Sequence, residues 1–264
     1  MVAETKTKKP TLTFAAAACL ILLLVEAVKL AAFCAAAPAA RASDAGGYWM
    51  LGDQVAQADI WMARNPVAYR TPGYPWMIGL SKVLCGRHGW FVVVALQYCA
   101  VWLTSALTAW WTIRVTGRSW MAVLSLGICV ISAARPSHAS TIMTETFFTL
   151  FFTATLVSIS LLGEKISLRR SLLTGLLWGF TWLLRPVAAT LAPAWFVAFW
   201  LLHPSKFGLS TRERFLSAIV TVGVLSVMLG PWMVRNQLLF QRPSLTVFLG
   251  RELWLTTFGP GQPT

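Results

Sequence analysis

Charge is scarce in this chain. Of 264 residues only 12% are Asp, Glu, Lys or Arg, against about 25% in a soluble domain. That shortage excludes a water-soluble fold of this length. The five cysteines (Cys19, Cys34, Cys85, Cys99, Cys129) make no CxxC pair and no metal-ligand spacing, which excludes a zinc ribbon or a redox motif. Most sit in apolar runs and read as small buried hydrophobes. There is no internal repeat, no low-complexity segment and no nucleic-acid-binding module. The 22 basic residues, which set a net charge of +13, are scattered between hydrophobic runs rather than gathered on one face. Membrane lipids are therefore the expected partner, and nucleic acid is not.

What fills the chain instead is hydrophobic. Apolar residues make up 57%, tryptophans number 14, and mean hydropathy is +0.65. This is the composition of an all-α polytopic membrane protein. A span of about 20 apolar residues crosses the hydrocarbon core. That template predicts about seven transmembrane helices in a single domain over residues 1–264. The first covers Leu12 to Ala37, behind the basic start Lys6, Lys8 and Lys9. A short apolar piece from Tyr74 to Leu84 lies at the interface or begins the second span. Further spans are predicted near Trp90–Ile113, Trp120–Ala134, Met143–Leu162, Leu172–Leu184, Val187–Leu202 and Phe215–Val234. The first run is longer than the core of a signal peptide and is interrupted by Glu26 and Lys29, so an uncleaved anchor is expected. Three residues apart, that acid and base can pair on one helical face.

Placing the N-terminus in the cytoplasm leaves eleven cations inside and ten outside, so number barely separates the faces. Type does. Nine of the ten outer residues are arginine, several beside proline, whereas the inner ones cluster in short loops such as GEKISLRR. Arginine binds phosphate with a planar donor fork, so the outer arginines point to an anionic ligand at the membrane surface.

A large outer loop, residues 43–75, separates the first two hydrophobic runs. It holds Asp44, Asp53, Asp59, Arg64 and Arg70 among the aromatics Tyr48, Trp49, Trp61, Tyr69 and Tyr74. Asp44 and Tyr48, four residues apart, would share one face of a short helix. A carboxylate there serves either as a helix N-cap or as a general base towards a hydroxyl. Asp53 and Asp59 read as solvated loop acids. Arg64 and Arg70 suit lipid headgroups or a ligand phosphate, and Thr71-Pro72-Gly73-Tyr74-Pro75 makes a rigid turn back to the membrane. Glu145 opens the Met143–Leu162 span, where an acid suits the helix dipole. With His138 it could ligate a metal, though no metal site is assigned. Arg135, Arg185 and Arg235 fall at predicted outer helix ends, so a shared anion pocket with Asp44 and Glu145 is expected.

The order of these motifs resembles a known family. Asp44 and Tyr48 follow the first span, then comes RTPGYP (residues 70–75), then Thr144-Glu145 with Phe148 opening a later span. Gly179, Leu184, Arg185 and Pro186 follow, and then Pro231, Trp232, Arg235 and Asn236, with FLGREL behind them. Together they resemble the N-terminal half of membrane-embedded GT-C glycosyltransferases, in the protein O-mannosyltransferase and aminoarabinose transferase group. The resemblance implies transfer of a sugar from a polyprenyl-phosphate-linked donor to a hydroxyl acceptor. It places the reaction at the periplasmic face of a bacterial inner membrane. By the same likeness Asp44 is the catalytic base, and Glu145 supports the acceptor or the base. Tyr48, Arg64, Arg70, Tyr74, Arg135, His138, Arg185 and Arg235 would bind substrate, the arginines on the lipid phosphate. No cofactor is implied beyond the lipid-linked donor, and a divalent metal stays open. Many relatives carry a paired acid where Asp44 is followed by Ala45, and most are far longer. A C-terminal half or a partner subunit is therefore expected. Two other readings stay open: a carrier-lipid or small-molecule transporter, and an inactive truncated subunit. A transporter favours ionisable residues near the midplane and two matching halves. Here only Glu26 and Lys29 lie deep.

Overall fold

The computed structural model describes residues 11–36, 43–132, 138–196 and 210–246, and Arg135 lies outside them. Every element among these residues is helical: α1 (Thr11–Ala36), α2 (Ser43–Ala56), α3 (Gly73–Cys85), α4 (Gly89–Thr116), α5 (Ser119–Ile131), α6 (Glu145–Glu164), α7 (Leu168–Leu184), α8 (Leu191–Phe196) and α9 (Thr211–Phe240). Short 3-10 turns occupy Gly86–His88 and Pro186–Thr190.

Four stretches are long and apolar enough to cross a membrane: Ala15–Ala35, Gly73–Thr116, Glu145–Glu164 and Thr211–Phe240. The chain is a helical membrane protein. The expected count of seven spans is met by only these four among the described residues. With 13 and 17 residues, α5 and α7 fall short of the roughly 20 that a perpendicular crossing needs. The predicted Val187–Leu202 run is described only as far as Phe196.

Within the second stretch the helix is broken. Gly86 takes φ +53, a left-handed value that glycine adopts without steric penalty, and the chain reverses there. The Tyr74 hydroxyl at the start of α3 donates to Gln97 Oε1 on α4. A continuous helix would hold those residues about 35 Å apart. The part of this stretch that is by itself long enough to cross is therefore α4, with 28 residues. Its half-exposed Trp90 and Trp110 stand twenty residues apart, about 30 Å of helix, which matches the spacing of the two aromatic belts of a bilayer.

Gln97 Nε2 also donates to Ala139 O at 2.7 Å and Thr141 O at 2.8 Å. At the other end of α4, Arg114 pairs with Glu164, so α4 and α6 run in the same direction. Hydroxyl pairs stitch α6 to α7 (Thr155 to Thr181 at 3.1 Å, Ser158 to Thr174 at 2.6 Å) and α7 to α9 (Ser171 to Ser217 at 2.7 Å). A Cβ on Gly175 or Gly179 would meet Val224 at 2.8 Å or Met228 at 2.6 Å. Small residues four apart let α7 and α9 approach this closely, as membrane helices do. Glu26 is fully buried and pairs with Lys29 at 2.6 Å. Lys29 Nζ also donates to Val130 O at 2.6 Å, which satisfies a carbonyl at the end of the short α5.

Candidate functional site

One end of the bundle is built by α2, α3 and the segment between them. The two helices cross at glycines, where a Cβ on Gly52 would lie 2.3 Å from Ile78 and one on Gly79 would lie 2.4 Å from Val55. The Asp59 carboxylate organises the intervening segment, accepting from the backbone N–H of Ala63 at 3.0 Å and of Arg64 at 2.9 Å. From α9, Arg235 closes the same segment with donors to the carbonyls of Trp61 (2.9 Å), Met62 (2.7 Å) and Val67 (3.4 Å). The Thr71 hydroxyl then donates to Leu184 O at 2.9 Å. This docks the proline-stiffened turn on the last residue of α7 and brings Arg70 towards Arg185.

Two acid–arginine pairs meet there. Arg70 donates to the Asp44 carbonyl at 3.2 Å and to Asp44 Oδ1 at 3.1 Å. Its guanidinium lies over the Tyr48 ring, 3.9 Å from the centroid. The Arg70 side chain is 10% exposed while that of Asp44 is 66% exposed, so the carboxylate held by a sheltered cation is itself open to solvent. Gly47 makes room, since a Cβ there would sit 2.9 Å from Arg70 Nη2. Across Tyr48, Glu145 Oε1 accepts from Arg185 Nη1 at 3.0 Å. Among the described residues, Glu145 Oε2 is buried with no hydrogen-bond partner, as is Arg70 Nε.

Tyr48 sits between the pairs. Burial raises its phenol pKa, outweighing the charges of Arg70 and Arg185 and a hydrogen bond with the Thr144 side chain. The phenol stays neutral and able to donate. Tyr74 stacks edge-on against Tyr48, with ring centroids 5.2 Å apart.

The structure therefore brings Asp44, Tyr48, Arg70, Tyr74, Glu145 and Arg185 together. His138 lines a cavity of about 80 Å³ with Glu145, Thr146 and Thr149. No group of three or more metal-ligating side chains occurs among the described residues. Arg64 and Arg235 stand apart from the cluster. Arg64 reaches Gln57 at 3.3 Å, and the Arg235 donors are spent on carbonyls and on Asn236 at 2.7 Å. These contacts make Arg235 a structural clamp on the segment carrying Arg70.

Gln97 was the residue that sequence reasoning missed. Its signal was a lone amide in the apolar Trp90–Ile113 run, and polar residues inside spans usually bind across helices. Replacing Gln97 with Leu removes the acceptor of the Tyr74 hydroxyl proton and the donor to the Ala139 and Thr141 carbonyls, and each buried group left unpaired costs about 1–3 kcal/mol. A marked fall in melting temperature is the expected result, read by thermal unfolding in detergent.

Asp59 gives the segment a pH dependence. Burial pushes its carboxyl up, but the N–H groups of Ala63 and Arg64 and the charges of Arg64 and Arg235 hold it below its ordinary value. A depressed folded-state pKa means stability that is present above the unfolded value and lost as pH falls through the folded one. Asp59→Asn should therefore melt earlier than wild type at neutral pH. The two curves should converge on acidification below the ordinary carboxylate range.

Compared with family models, curated proteins and solved structures, the chain matches none.

Proposed function

We propose that the chain transfers a sugar from a polyprenyl-phosphate donor to a hydroxyl acceptor, using a GT-C-like arrangement of about seven spans. Its site would face the periplasm of a bacterial inner membrane. The observation that carries this reading is the juxtaposition of the Asp44–Arg70 and Glu145–Arg185 pairs on either side of Tyr48.

In this reading the acceptor hydroxyl gives its proton to the exposed Asp44 carboxylate while its oxygen bonds to the anomeric carbon. The bond from that carbon to the phosphate oxygen breaks, and the polyprenyl phosphate leaves with the electron pair. Arg185 and Arg70 meet the charge that develops on it. Glu145 orients Arg185 and keeps its second oxygen for a substrate hydroxyl. The leaving group stays in the lipid, which suits a cluster built at one end of a membrane bundle.

The test is a purified full chain in liposomes with a radiolabelled polyprenyl-phosphate sugar. Release of free polyprenyl phosphate, together with label on an acceptor or in water, supports transfer. Movement of intact donor between leaflets without cleavage points to a transporter and sinks the proposal. Cleavage only after a second subunit is added assigns the chain to a larger enzyme.

A further inference from the structure

At the α2 end the cations are occupied. Arg70 and Arg185 hold carboxylates, Lys82 pairs with Asp53, Arg235 holds carbonyls, Arg64 reaches Gln57 and Arg87 reaches His88. Among the described cations there, only Arg242 has a side chain engaged with nothing.

The opposite end differs. It is formed by the α4–α5 turn, the α6–α7 turn and the start of α9, joined by the Arg114–Glu164 pair and the Ser171–Ser217 bond. Arg170 donates to the Leu161 and Lys165 carbonyls and closes α6. The two acids of this end are already used. Glu164 holds Arg114, and Glu213 accepts from the backbone N–H of Ser210 at 3.0 Å and from its hydroxyl at 2.8 Å. Arg118, Lys165, Arg169 and Arg212 are exposed, and among the described residues their side chains meet no hydrogen-bonding or charged partner.

Apolar side chains stand beside these four cations. Val115 and Trp120 flank Arg118, Leu168 precedes Arg169, and Phe215 follows Arg212, all of them exposed. A soluble anion would use the cations alone. A ligand that uses both carries a phosphate on an acyl chain. We infer that this end docks the headgroup of an anionic phospholipid, with phosphate on Arg118, Lys165, Arg169 and Arg212 and the chains along Val115, Leu168 and Phe215.

This surface also separates the two faces where a plain count of cations does not. An anionic leaflet attracts Lys and Arg near its surface, and among the described residues the cations without a partner, Arg242 apart, lie at this end. The inference holds whether or not the opposite end transfers sugar.

The full chain in nanodiscs, titrated with fluorescent phosphatidylglycerol and phosphatidylcholine, tests it. The anionic lipid should bind at least about tenfold more tightly in 0.15 M salt, and the preference should shrink in 0.5 M salt. Each of Arg118→Gln, Lys165→Gln, Arg169→Gln and Arg212→Gln should lower the preference roughly fivefold. The four together should abolish it, while Arg242→Gln leaves it intact. Should the fourfold variant not fold, the single variants carry the measurement. Equal affinity for the two lipids, or an undiminished preference in the fourfold variant, overturns the inference. So does competition by inorganic phosphate as effective as that by the lipid, since the site would then take a free anion.

Discussion

Asp44→Asn is expected to cut sugar transfer by about 10²–10⁴-fold, the contribution of a positioned general base, with almost no change in melting temperature. Asparagine keeps the size of aspartate and an oxygen for Arg70, and removes the negative charge and with it the capacity to take a proton. The stability side follows from exposure. Arg70 is sheltered, but the Asp44 carboxylate is largely in solvent, and such pairs contribute about 0–1 kcal/mol. A coincident loss of folding would therefore point to a structural role, and unchanged turnover would remove Asp44 from the mechanism. Turnover of labelled donor and thermal unfolding, measured on one preparation, separate these outcomes.

Gly73→Ala should produce the largest structural effect. A Cβ at this position would lie 2.7 Å from the Leu183 carbonyl oxygen, 2.8 Å from its carbon and 3.1 Å from the Leu184 nitrogen. All three are backbone atoms at the end of α7, so no side chain can swing away to relieve the contact. The turn must separate from α7, breaking the Thr71 bond to Leu184. Overpacking of this kind costs about 1–3 kcal/mol or more, a fall of several degrees in melting temperature. Turnover should fall further than stability, because the same contact sets Arg70 relative to Arg185, and an error of about 1 Å in such a cluster costs about 10²-fold. Gly46→Ala is the control, since no described residue comes within 4 Å of its Cβ.

The helical, membrane-spanning character was legible because composition and run length report it directly. The Glu26–Lys29 pair was legible for a similar reason, being a local relation three residues apart. Span number was less so. Hydropathy does not mark where backbone geometry ends a helix, so the reversal at Gly86 and the brevity of α5 escaped it. In the site, residue type and predicted helix ends were enough to name Asp44, Arg70, Glu145 and Arg185 as neighbours at one end. Arg235 shared their type and end, but its partners are carbonyls of a segment whose path no local pattern encodes. Gln97 escaped for a related cause, since its value lies in bonds to Tyr74 and to residues 139 and 141.

The Arg235 clamp has a consequence for biogenesis. Its contacts reach back 168 to 174 residues, so residues 61–67 emerge from the ribosome long before the guanidinium that will hold them. At typical synthesis speeds the delay is about ten to thirty seconds. During that interval the segment carrying Arg70 waits in the translocon's surroundings without this fastener, and insertion of α9 supplies it.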